Sequence, residues 1–453
     1  MKILYRMAGI LLAGILLFDN SASVSAAGLS GKNVTKKIAY KTCTGMKTTN
    51  IWGMADNEKY TMVLGFNDPY SYLYSKDGKV KVMLSYTKDG VKFANKDLTP
   101  YIKKLSGNTG HGVAQEDKVD VGSICELDGT FYILGTYKSK LSSQGKKGHQ
   151  LYILATKDGV HVKSYVAKNI TDFSNQAKLY KMGGYFVLFT NTNGKESGQK
   201  IYLSKNLKTW TAYTKPEKDA LLDGYGLAVS GEEAVVKCYT YDDEYRQHFC
   251  YYKTKDFKNY EPISFQSGTN DNYAKIYGLE EDKGFLFCTE SGIKDSTKQK
   301  ITMYGMNPGS VASGEGISVN KLYSYTSKKT DWWGSFAGNN YFILNAAGNA
   351  YLSSDEGESY TKYSTNLDFN QLKTSDDCSS GTLSVCTYGN SKNQLLLSTD
   401  NFRHYYKVKG PASYMYLVSY HEKTNKILIG ATDYRGAYKM YSISASALKK
   451  YAK

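Results

Sequence analysis

The chain has 453 residues, of which 41% are hydrophobic, 14% aromatic and 22% charged, with a formal net charge of +16. That balance supports a sizeable core and excludes a mostly disordered chain. With 42 tyrosines, 42 glycines and only 6 prolines, it also excludes collagen-like, coiled-coil and disulfide-scaffold architectures. It predicts many short β-strands joined by tight turns.

Lys2 and Arg6 precede an apolar run from Met7 to Phe18, and a small-residue stretch follows from Ser21 to Ala27. This pattern predicts a secretory signal peptide over residues 1–26, cut after Ala26, then a lead-in over 27–39. The apolar run falls short of the roughly 20 residues of a membrane-spanning helix, and no later stretch approaches that length, so no transmembrane segment is expected. Lys2, Arg6 and Asp19 leave with the peptide, so the mature charge is about +15.

Only Arg246, Arg403 and Arg435 remain among the basic residues that are not lysine or histidine. Nucleic-acid readers favour arginine for bidentate contacts, so no nucleic-acid partner is expected. Seven cysteines remain: Cys43, Cys125, Cys238, Cys250, Cys288, Cys378 and Cys386. Cys238/Cys250 and Cys378/Cys386 are spaced to face each other across hairpins. The alternative is that the cysteines are small core residues, since several end apolar runs. No Cys/His cluster has zinc spacing, so neither a metal nor a cofactor is expected.

From residue 40 to the C-terminus one unit recurs. It is an apolar strand, a short polar turn, and a polar strand carrying an aromatic. It reads "VMLSYTKDGVKF" at 82–93, "LYILATKDGVHV" at 151–162, "KIYLSKNLKTW" at 200–210 and "CYYKTKDFKNY" at 250–260. It returns as "AYLSSDEGESYTKY" at 350–363 and "QLLLSTDNFRHYY" at 394–406. Worn copies surround Asn307-Pro308-Gly309 and residues 439–451. Upstream of each lies a second hairpin, as in "SICELDGTFYILGTY" at 123–137, so the unit has four strands. Most units repeat after 45 to 52 residues; the first interval is longer, with a segment around 97–119 that reads as a loop. Four short strands at this period predict an all-β fold, a β-propeller of four-stranded blades occupying 40–453 as one domain. Eight repeats are counted, with seven blades as the alternative.

The turn S-x-D-x-G-x-x-aromatic resembles the Asp-box (BNR) repeat of sialidase-like propellers. Ser353, Asp355, Gly357 and Tyr360 match it best, and Ser398 and Asp400 match with Phe402 in the glycine position. Shorter matches are Thr87/Asp89/Phe93, Ser204/Asn206/Trp210 and Thr254/Asp256/Tyr260. The resemblance implies peripheral, structural turns rather than catalytic ones. The Asp accepts backbone N–H groups, Gly takes positive φ, and the aromatic packs the hairpin. It also implies that a sialidase would need an arginine triad. Arg246, Arg403 and Arg435 are badly placed for one, so sialidase chemistry is not expected.

A second pattern opens the inner strands: Ile51-Trp52-Gly53, Asp120-Val121-Gly122, Gly224-Tyr225-Gly226 and Asp331-Trp332-Trp333-Gly334. Inner strands line the axis, so these residues are expected to ring one mouth of the channel. Aromatic faces suit the C–H faces of sugars and polar groups suit their hydroxyls. The expected function is therefore a secreted recognition module for a glycan or anionic cell-surface polymer. Trp52, Tyr225, Tyr273, Trp332 and Trp333 would stack, and Asp120 and Asp331 would hydrogen-bond. Large aromatics filling a wide ring would give the same pattern. Two other functions remain open. One is a non-sialidase glycoside hydrolase or lyase using carboxylates among Asp56, Asp120, Glu126 and Asp331. The other is a platform for a protein partner.

Overall fold

Apolar runs of six to nine residues are too short to bury themselves alone, so each pairs with its chain neighbour and the resulting sheets stack on one another. A computed structural model of the protein describes residues 31–34, 36–68, 80–106, 120–138, 149–171, 177–192, 198–213, 216–217, 220–265, 274–278, 284–292, 297–312, 316–328, 335–338, 341–346, 349–353, 361–364, 372–380, 383–388, 393–400, 404–432 and 436–452.

Two short strands come first, β1 (Gly31–Asn33) and β2 (Lys41–Thr42). The first four-stranded unit is β3 (Asn50–Asp56), β4 (Thr61–Phe66), β5 (Val82–Thr87) and β6 (Ala94–Asp97). Next come β7 (Asp120–Leu127), β8 (Thr130–Lys138), β9 (His149–Thr156) and β10 (Lys163–Thr171), and then β11 (Lys178–Met182), β12 (Tyr185–Thr192), β13 (Gly198–Ser204) and β14 (Thr211–Ala212). After them lie β15 (Leu221–Ser230), β16 (Glu233–Tyr241), β17 (Gln247–Thr254) and β18 (Glu261–Phe265). They are followed by β19 (Ala274–Gly278), β20 (Phe285–Gly292), β21 (Lys298–Met306) and β22 (Ile317–Lys328). The chain continues through β23 (Ser335–Gly338), β24 (Tyr341–Ala346), β25 (Asn349–Ser353) and β26 (Thr361–Ser364). Then come β27 (Leu372–Ser380), β28 (Leu383–Tyr388), β29 (Gln394–Ser398) and β30 (Tyr405–Lys409), and it finishes in β31 (Tyr414–His421), β32 (Lys426–Thr432) and β33 (Lys439–Ser444).

Within each unit the strands pair antiparallel in chain order. The first strand of one unit lies against the first strand of the next: β3 on β7, β7 on β11, β11 on β15, β15 on β19, β23 on β27 and β27 on β31. Finally β31 returns to β3, which closes a ring. This is a β-propeller with first strands innermost, and the ring leaves only short, protected edges at those strands.

Closure uses a strand the sequence did not suggest. The last three strands lack a fourth partner of their own, and β2 supplies it by pairing with β33, Lys41 opposite Ser442. The tail at 439–451, read as a worn strand–turn–strand, is instead β33 followed by α2 (Ala445–Lys449). Likewise β1 adds a parallel fifth strand to β30. The first long segment also departs from expectation. It contains α1 (Thr99–Ser106), whose Ile102 sinks fully into the core between the first two blades. Asp97 accepts the Thr99 N–H at 2.9 Å just ahead of the helix, whose first i→i−4 bond runs from the Ile102 N–H to the Leu98 carbonyl at 3.3 Å.

The core lies between blades rather than within one. One cluster joins Leu64, Phe66 and Leu84 to Phe131, Ile133 and Leu154 across the first interface. Another joins Val63 and Phe93 to Leu428 and Met440 across the closing interface. Second strands are buried on both faces, as β4 is at all six positions. That is why they read as continuous apolar runs rather than as alternating ones. Each buried Leu or Phe contributes about 1.5–3 kcal/mol. No helix among the described residues is long and apolar enough to cross a membrane.

Candidate functional site

The turn motif is built from its own hydrogen bonds. Thr87 Oγ1 donates to Asp89 Oδ1 at 3.0 Å and accepts the Gly90 N–H at 3.0 Å. Asp89 Oδ1 then accepts the Val91 and Lys92 N–H groups, both at 2.8 Å. Thr156/Asp158, Ser204/Asn206 and Thr254/Asp256 repeat this network bond for bond. At Ser398/Asp400 the hydroxyl donates to Asp400 Oδ1 at 3.0 Å, and that oxygen accepts the His404 N–H at 2.9 Å. Asn206 accepts the same two N–H groups with a neutral amide oxygen, so the turn also closes without the charge. Burial raises the Asp158 pKa, but the His161 and Val160 N–H groups and the His161 ring outweigh it and hold the carboxyl at about 2.

The residue in the glycine position has left-handed φ in each of four turns: Gly90 (+63°), Gly159 (+74°), Leu207 (+62°) and Phe257 (+55°). It points back into the preceding blade. A Cβ on Gly159 would sit 2.5 Å from the Tyr86 ring, so only glycine fits there. Leu207 and Phe257 instead fill apolar space in the blades before them. The motif thus pins each blade to its predecessor. Ser353 ends β25; its side chain, and Asp355, Gly357 and Tyr360, lie outside the described residues. The worn copy at Asn307-Pro308-Gly309 is anchored by the preceding blade. There Glu233 Oε2 accepts the Gly309 N–H at 3.3 Å, and buried Lys253 donates to the Ser310 carbonyl.

The inner-strand pattern has a backbone cause. Register slips mark a bulge in β3 between Ile51 and Gly53, in β7 between Val121 and Ser123, and in β15 between Leu222 and Leu227. Bulges recur in β27 between Leu372 and Asp377 and in β31 between Met415 and Leu417. A bulge bends its strand and re-aims a side chain. Trp52 is the extra residue of the β3 bulge. It stays 38% exposed, with the Phe66 ring edge-on to it at 6.0 Å. Gly65 opposite leaves no room for a side chain, since a Cβ would lie 1.9 Å from the Asn50 carbonyl oxygen.

Asp120 and Tyr225 lie on the bulged ends of β7 and β15, with side chains outside the described set. Tyr273, Asp331, Trp332 and Trp333 lie wholly outside it. The two remaining carboxylates are committed to structure. Asp56, at the far end of β3, accepts hydrogen bonds from Thr61 and from Ser419 of β31. Burial lifts its pKa to about 6 against those bonds, so it is a closure contact between the last blade and the first. Glu126 accepts the Gly129 N–H of its own hairpin. Burial raises its pKa, with Asp128 and Glu58 adding to the rise.

Sequence reasoning missed a buried ion pair beside this mouth. Lys237 of β16 lies 3.0 Å from Asp223, inside the β15 bulge, and donates to the Ala274 carbonyl at 3.2 Å. Ala274 N–H donates to the Tyr251 hydroxyl at 2.6 Å. Burial lowers the Lys237 pKa, with Asp223 opposing. The available signal was a lone lysine inside the apolar run of β16. The pair ties the Tyr225 end of β15 to the start of β19, so it fixes the spacing of two blades there. Arg246 is spent on its own hairpin, 2.8 Å from Asp242 and 3.1 Å from Glu244.

No family model matches the chain, and no curated protein matches it. Among solved structures, the Dos1 propeller is similar with a TM-score of 0.43 and 8% identity, over 89% of this chain and 95% of that one. YCF48 bound to D1 peptide is similar with a TM-score of 0.38 and 13% identity, over 81% and 94%. A Bombyx mori GH32 beta-fructofuranosidase is similar with a TM-score of 0.31 and 9% identity, over 89% and 90%.

Proposed function

We propose that the protein is an exported, non-catalytic recognition module that binds a glycan or anionic cell-surface polymer at the mouth of an eight-bladed ring. The turns make it a relative of the Asp-box propellers in this reading. The observation that carries the proposal is Trp52, a half-exposed indole held on the bulged start of an inner strand. A large aromatic left in water on a rigid strand is suited to stack on a sugar face. Trp332 and Trp333 occupy the corresponding sequence position, with Tyr225 and Tyr273 in neighbouring copies and Asp120 and Asp331 as hydrogen-bonding partners. The lysine surplus adds long-range, salt-dependent attraction to an acidic polymer.

Asp56 and Glu126 are engaged in structural hydrogen bonds. A hydrolase or lyase would therefore fall to Asp120 and Asp331. A ring alone chooses neither sugar nor protein as ligand. The test is binding of acidic and neutral polysaccharides by the intact chain and by Trp52→Ala and Trp332→Ala/Trp333→Ala variants. Weaker binding in both variants, with no sugar released, is expected. Unchanged affinity in both sinks the site. Release that stops in Asp120→Asn or Asp331→Asn moves the function to catalysis, and binding only to a protein in high salt moves it to a protein partner.

A further inference from the structure

The outer wall of the last two blades carries charge of one sign. No Asp or Glu stands in the sequence between residues 27 and 55, nor in 404–421 or 436–453. Pairing of β1 with β30 and of β2 with β33 lays the chain from Gly31 to Thr42 along that wall. Val34, Ile38 and Tyr40 turn inward onto the core shared by the two blades, and the Tyr40 hydroxyl donates to the Lys409 carbonyl at 2.9 Å. Lys32, Lys36, Lys37 and Lys41 of the same segment are exposed, as are Lys409 at the end of β30 and Lys439 at the start of β33. None of these lysines is ion-paired with a carboxylate among the described residues.

Two carboxylates of these blades have other places. Asp400 is engaged by Ser398 and His404 in its own turn, and Glu422 stands between β31 and β32, on the axial side of the last blade. From Lys32 to Lys41 the chain spans at most about 30 Å. Neighbouring ammonium groups along it lie near the roughly 8 Å screening length of physiological salt, so their fields reinforce one another. They also repel, a cost that a surface built only for solubility avoids by interspersing acidic residues. The large hydrophobic residues exposed among the described residues are Trp52, Val160, Leu221, Tyr241, Tyr245 and Val311, none of them on this wall. The wall therefore lacks side chains to bury in a bilayer, which favours a polymer in solution over a membrane.

We propose that this wall is a docking surface for an acidic polysaccharide, whose successive carboxylates run along Lys32, Lys36, Lys37 and Lys41 with Lys409 beside them. Ammonium groups on flexible stems suit a chain of anions whose spacing is not fixed. The proposal takes its polymer from the proposed function but not its place, and the ring mouth has no part in it.

The test compares two variants of the full chain with equal loss of charge. The wall variant is Lys32→Gln/Lys36→Gln/Lys37→Gln/Lys41→Gln. The reference variant is Lys157→Gln/Lys163→Gln/Lys208→Gln/Lys258→Gln, at exposed lysines of other blades. Calorimetry measures binding to polygalacturonate and to its neutral methyl ester at several salt concentrations, and co-sedimentation measures binding to phosphatidylglycerol vesicles. The wild type is expected to bind the acid in a salt-sensitive way and the ester far more weakly. The wall variant is expected to lose about tenfold or more in affinity for the acid, with a shallower salt dependence, and the reference variant less than about threefold. Thermal unfolding should be alike in all three; should the wall variant not fold, Lys36→Gln/Lys37→Gln, between the two paired strands, is expected to lose about threefold. Equal losses in the wall and reference variants overturn the proposal, since net charge alone then sets affinity. No binding by the wild type, equal affinity for acid and ester, or preference for the vesicles overturns it too. Trp52→Ala, run beside them, reports on the ring mouth, while the docking surface stands or falls on the gap between the two lysine variants.

Discussion

Asp56 makes the closing interface sensitive to pH. The carboxyl sits between the innermost strands of the first and last blades, with Thr61 and Ser419 as its donors. No cation among the described residues contributes to its environment, and burial carries its pKa from an ordinary 3.8 to about 6. That difference corresponds to about 3 kcal/mol between the protonated and ionised forms. The folded state holds the proton more tightly, so this stability is fully present below pH 3.8 and is lost as pH rises through about 6. Asp56→Asn is neutral throughout and keeps one acceptor oxygen. Its unfolding free energy, relative to wild type, should rise by about 3 kcal/mol between about pH 4 and pH 7. His421, buried on the same β31 strand, has a pKa lowered by burial. Its contribution is present above the ordinary value and lost as pH falls, but it is common to both proteins and cancels in the difference. Urea unfolding at four pH values measures the quantity directly. A difference that stays constant within about 1 kcal/mol across that range refutes the burial argument.

Other consequences follow from the turns and the thiols. Phe257→Ala should cost about 3–5 kcal/mol, because a fully buried ring leaves the interface between the third and fourth blades. Phe257→Gly should be about 1 kcal/mol less damaging than Phe257→Ala, since glycine accepts φ +55° without strain; thermal unfolding of both variants decides the order. Asp256→Asn should stay within about 0.5 kcal/mol of wild type, as Asn206 does the same work, whereas Asp256→Ala hands two exposed N–H groups back to water and costs about 1 kcal/mol by urea unfolding. Gly159→Ala should lose about 2 kcal/mol or more, since the new Cβ meets the Tyr86 ring. Burial pushes the Cys43 thiol up to about 11 and the Cys125 thiol up to about 12. Both should resist maleimide at pH 8 in the folded protein and react after unfolding, as mass spectrometry of the digested peptides would show.

The repeat was legible because it is enforced locally. A Thr or Ser, then an Asp or Asn two residues on, closes the same turn wherever it occurs, and the signal survives even when Leu207 or Phe257 replaces glycine. Those two residues also show what a sequence hides. Whether the left-handed position takes Gly, Leu or Phe depends on Tyr86 or on empty space in another blade, which no local pattern reports. Ring closure was hidden for a similar reason, since β2 and β33 are separated by nearly the whole chain and β2 is two exposed residues long. The Cys238/Cys250 spacing placed those residues directly opposite in β16 and β17, and both carry free thiols. At the candidate site, the x-Gly pattern of the inner strands marked bulges, not only aromatic faces. Asp223 and Lys237 escaped notice because their pairing is formed by that bulge. Asp56 and Glu126 looked available only because their hydroxyl and N–H partners come from the fold.

In the proposed function the ring mouth retains a polysaccharide without cleaving it. The most direct measurement incubates the full chain and Trp52→Ala with insoluble acidic cell-wall polymer, reading retained protein and newly released reducing ends in the same tubes. The wild type should be retained in a salt-sensitive way and Trp52→Ala more weakly, with no sugar released by either. Release of sugar by the wild type, or equal retention of the two proteins, would contradict it.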